Sequence, residues 1–231
     1  MDATAQPVLV SSAPATARAA FIRRTYLHLA LAILAFIAVE ALLLQWDGAT
    51  EVAATMTDGW NWLLVLLAFA MVGGVADRWA RTGGAVGKQY LGLGLFILAE
   101  AVLFLPIMIW AKTVDEDAIA QAGVVTLLMA AGLTAVPFVT GADFSFIRGA
   151  LVVGGLVAIG LIVASILIGF NLGLWFSLAM VGFASAAILY QTSAILRHYR
   201  TDQHVAAALA LFADVALLFW YVLRIVAGSR R

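Results

Sequence analysis

An all-α, polytopic membrane protein with seven transmembrane helices is the fold class this sequence predicts. Three observations predict it. Hydrophobic residues make up 65% of the 231 positions and charged residues only 11%, where soluble domains carry about 25% charged residues. Seven apolar runs each approach the ~20 residues a helix needs to cross a hydrocarbon core about 30 Å thick. The breaks between the runs gather the Gly and charged residues that end helices.

The runs lie at about 24–46, 60–79, 89–111, 119–140, 147–168, 172–196 and 204–226. Residues 1–22 are small and polar, with no long apolar core of the kind a cleaved signal peptide needs, and read as an N-terminal arm without fixed structure. The membrane domain is then 23–228, followed by a tail at 229–231. Span one opens on FIRRTYLHLA, with His28 one turn in, at the interface, and Glu40 two turns before Asp47, close enough to the far surface to snorkel to water. A polar connector (47–59) leads to span two, and a basic, Gly-rich connector (81–88) to span three. Pro106 and Pro137 sit near the ends of spans three and four, where a kink is accommodated. Gly169-Phe170-Asn171 makes a tight turn between spans five and six. Small residues recur in those two spans (Ala150, Gly154, Ala158, then Gly182, Ala186), a spacing that lets helix backbones approach closely in lipid.

Lysine and arginine asymmetry sets the orientation. Arg18, Arg23 and Arg24 precede or open span one; Arg78, Arg81 and Lys88 flank loop two; Arg148 ends loop four; Arg197 and Arg200 flank loop six. The alternate loops carry Asp47, Glu51 and Asp58, then Asp115, Glu116 and Asp117 against Lys112. The N-terminus is therefore expected in the cytoplasm. A full seventh span puts Arg224, Arg230 and Arg231 on the opposite side, against the trend, yet its apolar length favours a full crossing. Trp46, Trp60, Trp62, Trp79, Trp110 and Trp175 fall at run ends, as interfacial anchors do.

Several chemistries are excluded by composition. There is no cysteine, so no disulfide, thiolate metal site or Cys nucleophile. Three histidines, none paired at i,i+4, do not suit zinc, and no cofactor is expected. Zero net charge gives no reason to expect nucleic acid. An intramembrane aspartyl protease needs two membrane aspartates, a Ser–His dyad needs a membrane histidine other than His28, and a retinal protein needs a lysine in span seven. The chain is not expected to be an enzyme.

The informative residues are acids in the spans. A charge at a helix centre costs about 2.5–3.5 kcal/mol even on lenient insertion scales, so an intramembrane carboxylate is a functional-site hypothesis. At 1.5 Å per residue, Asp214 lies about 15 Å into span seven, Glu100 about 17 Å into span three, and Gln191 about 10–15 Å from the end of span six. The three could meet at one level, and two neighbouring carboxyls there would share a proton.

FIRRTYLHLA, GLTAVPFVTGADFSF, and ASAAILYQTSAI followed by LFADVALLFWYVLRI carry a resemblance. Over residues 21–226 the chain resembles the Bax inhibitor-1 family, the transmembrane Bax-inhibitor-motif proteins and their bacterial YccA-like relatives. The resemblance implies a seven-helix fold with the seventh helix central, and a pH-sensitive calcium leak. It implies a proton sensor made of two membrane aspartates on spans six and seven. Asp214 matches the second; Gln191 stands where such members carry the first. A Gln–Asp pair cannot share a proton as two acids do, so either the sensor is blunted or Glu100 supplies the second carboxyl. The family's span-two arginine, a latch on the aspartates, corresponds to Arg78 or Arg81.

The expected function is thus a cation leak, most of all for calcium, gated by protonation around Asp214, in a bacterial inner membrane. The alternative is a non-conducting regulator that binds another membrane protein, for example a membrane protease, through the arm and loop six.

Overall fold

The computed structural model describes residues 8–82 and 85–229. Among them are the helices α1 (Ala15–Leu43), α2 (Ala49–Thr57), α3 (Asn61–Ala80), α4 (Val86–Val114), α5 (Ala118–Thr140), α6 (Arg148–Ile168), α7 (Gly173–Arg197) and α8 (His204–Gly228). Every one except α2 is long and apolar enough to span a membrane, which gives the seven expected crossings. Helices are the form such runs must take, because lipid offers no partner to a backbone N–H or C=O. α1, α4 and α5 show no one-sided segregation of apolar residues, as suits helices that face lipid on one side and protein on the other.

The helix ends follow local chemistry. Gly141 (φ 63°) and Gly169 (φ 80°) take the left-handed conformation that closes α5 and α6, their amides bonding Pro137 and Ser165 carbonyls. Pro106 and Pro137 stay inside α4 and α5, near their far ends.

α8 is the hub. It packs against α1, α3, α4, α5 and α7, and no residue from His204 to Ala227 is exposed. Phe212 meets Phe36 of α1 and Phe96 of α4 (ring centroids 5.9 and 6.1 Å), and Trp220 stacks on Trp62 of α3 at 6.2 Å. α6 is peripheral. It leans on α7, with only Ala158 joining Met180 and Tyr221 in a small cluster, and it presents Val153, Leu156 and Ile159 outward.

Two parts of the chain depart from the sequence expectation. Residues 47–59, read as a polar connector, contain α2, whose Ala49 and Ala53 pack with Leu43, Leu44 and Leu105. The arm over 1–22 is not without structure where it is described: residues 1–7 lie outside the described residues, but α1 already begins at Ala15. Before it, Val10 is fully buried, its N–H donating to the Tyr199 carbonyl at 2.9 Å, while Thr201 N–H donates to Val8 at 3.0 Å. Backbone pairing satisfies groups that the small side chains of the arm do not reveal. Arg230 and Arg231 also lie outside the described residues.

The tightest helix approach is not where the small-residue spacing pointed. Gly154 of α6 does face Phe183 of α7. The closer contact is α3 on α4, where a Cβ on Gly92 would lie 2.5 Å from the Ala76 carbonyl oxygen and 2.8 Å from the Ala80 nitrogen, with Ala76 and Ala80 fully buried. Gly92→Ala is therefore expected to lower the melting temperature in detergent, at an overpacking cost of about 1–3 kcal/mol. Gly94→Ala, whose Cβ would meet nothing within 4 Å, should hold or slightly raise it, since alanine is the better helix former. Equal melting of the two variants would contradict the close contact.

Candidate functional site

Helical periodicity decides what each membrane acid faces. Asp214 is two residues beyond Phe212 and so roughly 200° round α8 from it. It shares a stripe with Tyr221, whose ring meets Phe176 of α7 at 5.9 Å. Asp214 therefore looks toward α7. It is half-buried, and among the described residues it makes no hydrogen bond or ion pair. Glu100 lies on the opposite flank of α8. Phe96 and Phe104, one turn on either side of it, pack on Phe212 and on Phe219 and Trp220. Glu100 is buried, and its Oε2 has no partner.

Glu40 is not at the surface. It is 3% exposed and both carboxyl oxygens are buried without a partner. It therefore does not snorkel to water; near this end of α1, Ala49 and Ala53 of α2 pack with Leu43 and Leu44.

Gln191 has a different partner from the one expected. Its Nε2 donates to the Tyr199 hydroxyl at 2.7 Å. α7 ends at Arg197 and α8 begins at His204, so Gln191 lies ~9 Å and Asp214 ~15 Å below those ends. Asp214 is thus about one turn deeper, on the face of α8 turned toward α7. No hydrogen bond joins Asp214 to Gln191 or to Glu100.

Above this level lies a cavity of about 620 Å³ lined in part by Arg81, Arg148, Tyr190, Gln191, Tyr199 and Gln203. Of the two latch candidates, Arg81 is the one at the cavity, with its guanidinium 5.8 Å from the centre of the Tyr199 ring. Asp77, one turn back, holds Arg81 through Nε at 2.8 Å. Arg78 is exposed beside it and does not line the cavity. Burial pushes the Tyr199 phenol above its ordinary value, which keeps it a neutral hydroxyl.

Loop four is clamped to α7 at the cavity rim. Asp143 Oδ1 accepts from Ser145 N–H (2.9 Å), Ser145 Oγ (2.6 Å) and Ser193 Oγ (3.2 Å), and Oδ2 lies 3.8 Å from Arg197. Phe144 N–H donates to Ser193 Oγ at 3.1 Å, and Arg197 donates to the Gly141 carbonyl. Ser145, then Ser193 and Arg197, hold the Asp143 carboxyl below the usual carboxylate range. At the same end of the bundle, His28 is half-buried. Its Nδ1 is 2.7 Å from the Arg24 carbonyl, its Nε2 is 2.7 Å from the Tyr90 hydroxyl, and its ring lies edge-on to His204. The arm, loop two, loop four and loop six therefore meet at one end, and it is the basic one.

A sequence profile described as inhibitor of apoptosis-promoting Bax1 matches residues 18–231. The chain belongs to the Bax inhibitor-1 family. An uncharacterized protein of Pseudomonas aeruginosa is 35% identical over 114 residues, covering 48% of this chain and 51% of that protein. The match therefore spans about half the length of that curated relative. For a Bax inhibitor-1 member, the seven crossings and the central last helix are the expected frame, and the Tyr199–Gln191–Arg81 arrangement is the local detail that sequence reading missed. Tyr199 had no signal of its own in RHYR. The loop-four clamp did have one: Asp-Phe-Ser is a pattern in which the Asp side chain bonds the backbone two residues on.

The clamp has a pH signature. A carboxyl held below its ordinary value contributes above that value and loses its contribution as pH falls through the lowered one. Amide-exchange protection at Phe144 and Ser145 is expected to persist in the wild type at neutral and mildly acidic pH. It should fade only below the usual carboxylate range, and in Asp143→Asn it should be reduced at every pH. Identical protection in both proteins would show that the clamp does not hold the loop.

Proposed function

We propose that this Bax inhibitor-1 protein is a membrane leak for cations, calcium foremost, gated by the proton occupancy of Asp214. The observation that carries the reading is Asp214 itself: a half-buried carboxyl on the central helix, without a protein partner, about one turn beneath a cavity at the basic end. An ionised carboxylate at this depth in a membrane is costly unless an opposite charge neutralises it. With no arginine or lysine bonded to it, the available neutralisers are a proton and a mobile cation. Competition between the two makes pH the gate.

Gln191 at the sequence position of the family's other aspartate, and Glu100 on the far side of α8, leave one carboxyl at this site. The sensor therefore takes up a single proton. Arg81, beside the Gln191–Tyr199 pair, is the latch in this reading, closing the mouth above Asp214. By the positive-inside trend the basic end faces the cytoplasm of a bacterial inner membrane.

Calcium entry into dye-loaded vesicles containing the full chain tests this. The wild type is expected to change flux with pH at a steepness of about one proton, Asp214→Asn to lose the pH dependence, and Glu100→Gln to keep the wild-type steepness. An Asp214→Asn profile that tracks the wild type at every pH would sink the proposal.

A further inference from the structure

We propose that the basic-end cavity is a binding site for a phosphate-type anion, either a lipid headgroup phosphate or free phosphate, with Arg148 and Arg81 as its charged walls. The inference stands apart from the leak reading, because it concerns binding and not flux. Its volume of about 620 Å³ falls within the roughly 300–1,000 Å³ of small-molecule sites. Its lining contains two arginines and no carboxylate, and the other polar groups there include the hydroxyls of Tyr190 and Tyr199 and the amides of Gln191 and Gln203. That is a donor-rich wall around a positive centre.

The ion pairs at this end sharpen the point. Asp77 is bonded to Arg81, Asp143 lies against Arg197 and Asp202 against Arg200. Arg148 is left with no hydrogen bond or ion pair among the described residues. Asp77 bonds Arg81 through Nε and the guanidinium also bonds the Tyr199 hydroxyl; of its five N–H donors, those not used by Asp77 and Tyr199 remain for a second oxyanion. An anion beside Arg148 and Arg81 gives Arg148 the counter-charge it lacks, and a planar guanidinium suits phosphate oxygens in pairs. The site opens at the end of the bundle where headgroups lie, with its floor at Gln191 about 9 Å below the helix ends.

The test is a thermal melt of the full chain in phosphate-free, non-ionic detergent at constant ionic strength. It is titrated in one arm with inorganic phosphate and in the other with a short-chain phosphatidylglycerol. A saturable rise in melting temperature is expected in at least one arm: the phosphate arm assigns the free anion, and the lipid arm alone assigns the headgroup. Arg148→Gln should move the midpoint about tenfold or more to higher concentration, the scale of a lost charge-assisted hydrogen bond. Arg148→Lys should retain part of the affinity, and Arg18→Gln, a charge change outside the cavity, should leave the midpoint in place. Arg148 is exposed and unpaired, so its substitution does not threaten folding; the lysine variant supplies the readout if the glutamine one fails. No saturable rise in either arm, or midpoints unchanged in both Arg148 variants, would overturn the proposal.

Discussion

Everything in this bundle is arranged around one helix that has no lipid face. α8 touches five of the other crossings, and its whole length up to Ala227 is shielded. A helix so placed cannot send a charged side chain into headgroups by tilting or snorkelling. The charge of Asp214 must be settled inside the protein. Three neighbours on three sides decide how: aromatic rings from α1 and α4 on one flank, the α7 stripe on another, and α3 through Trp62. The aromatic flank is dry and closes around Glu100; the α7 flank leads up to the cavity. One helix thus separates two carboxyls that depth alone had put together.

Depth and sidedness are different kinds of information, and the contrast explains what the sequence could show. Seven apolar runs are a one-dimensional signal, and each appears in the structure as a crossing. The level of Asp214, Glu100 and Gln191 is nearly as direct, since it follows from counting residues along a helix. Facing depends on rotation about each axis. In helices whose apolar residues are not segregated to one face, such as α4 and α1, nothing in the pattern reports rotation. That is why Glu100 remained a candidate partner for Asp214, and why Glu40 was expected in water when the fold buries it. The arm failed for another reason: its attachment is made by backbone groups and one buried valine, which composition does not register.

The charge asymmetry of the loops takes on a structural meaning beyond topology. The basic residues of loops two, four and six do not simply line a membrane surface. Arg81, Arg148, Arg197 and Arg200 converge on the end of the α7–α8 hairpin, three of them on acids of their own. The mouth above Asp214 carries two guanidiniums, Arg81 and Arg148, and the first is already bonded by the Asp77 carboxylate. The electrostatic profile of the mouth therefore depends on whatever counter-charge occupies it.

The pairing of the arm with loop six has a consequence for assembly. Residues 8–10 precede α1, and their partners at 199–201 lie in the α7–α8 hairpin. Tyr199 is then held twice, through its backbone by Val10 and through its ring hydroxyl by Gln191. A contact joining segments so far apart in sequence forms late, because closing so long a loop is unfavourable until the intervening helices are in place. The basic end is therefore the last part of the molecule to set. The chain carries its own completion mark: until α8 has been inserted and the hairpin has closed, Val8 and Val10 have nothing to bond, and the mouth above Asp214 does not exist.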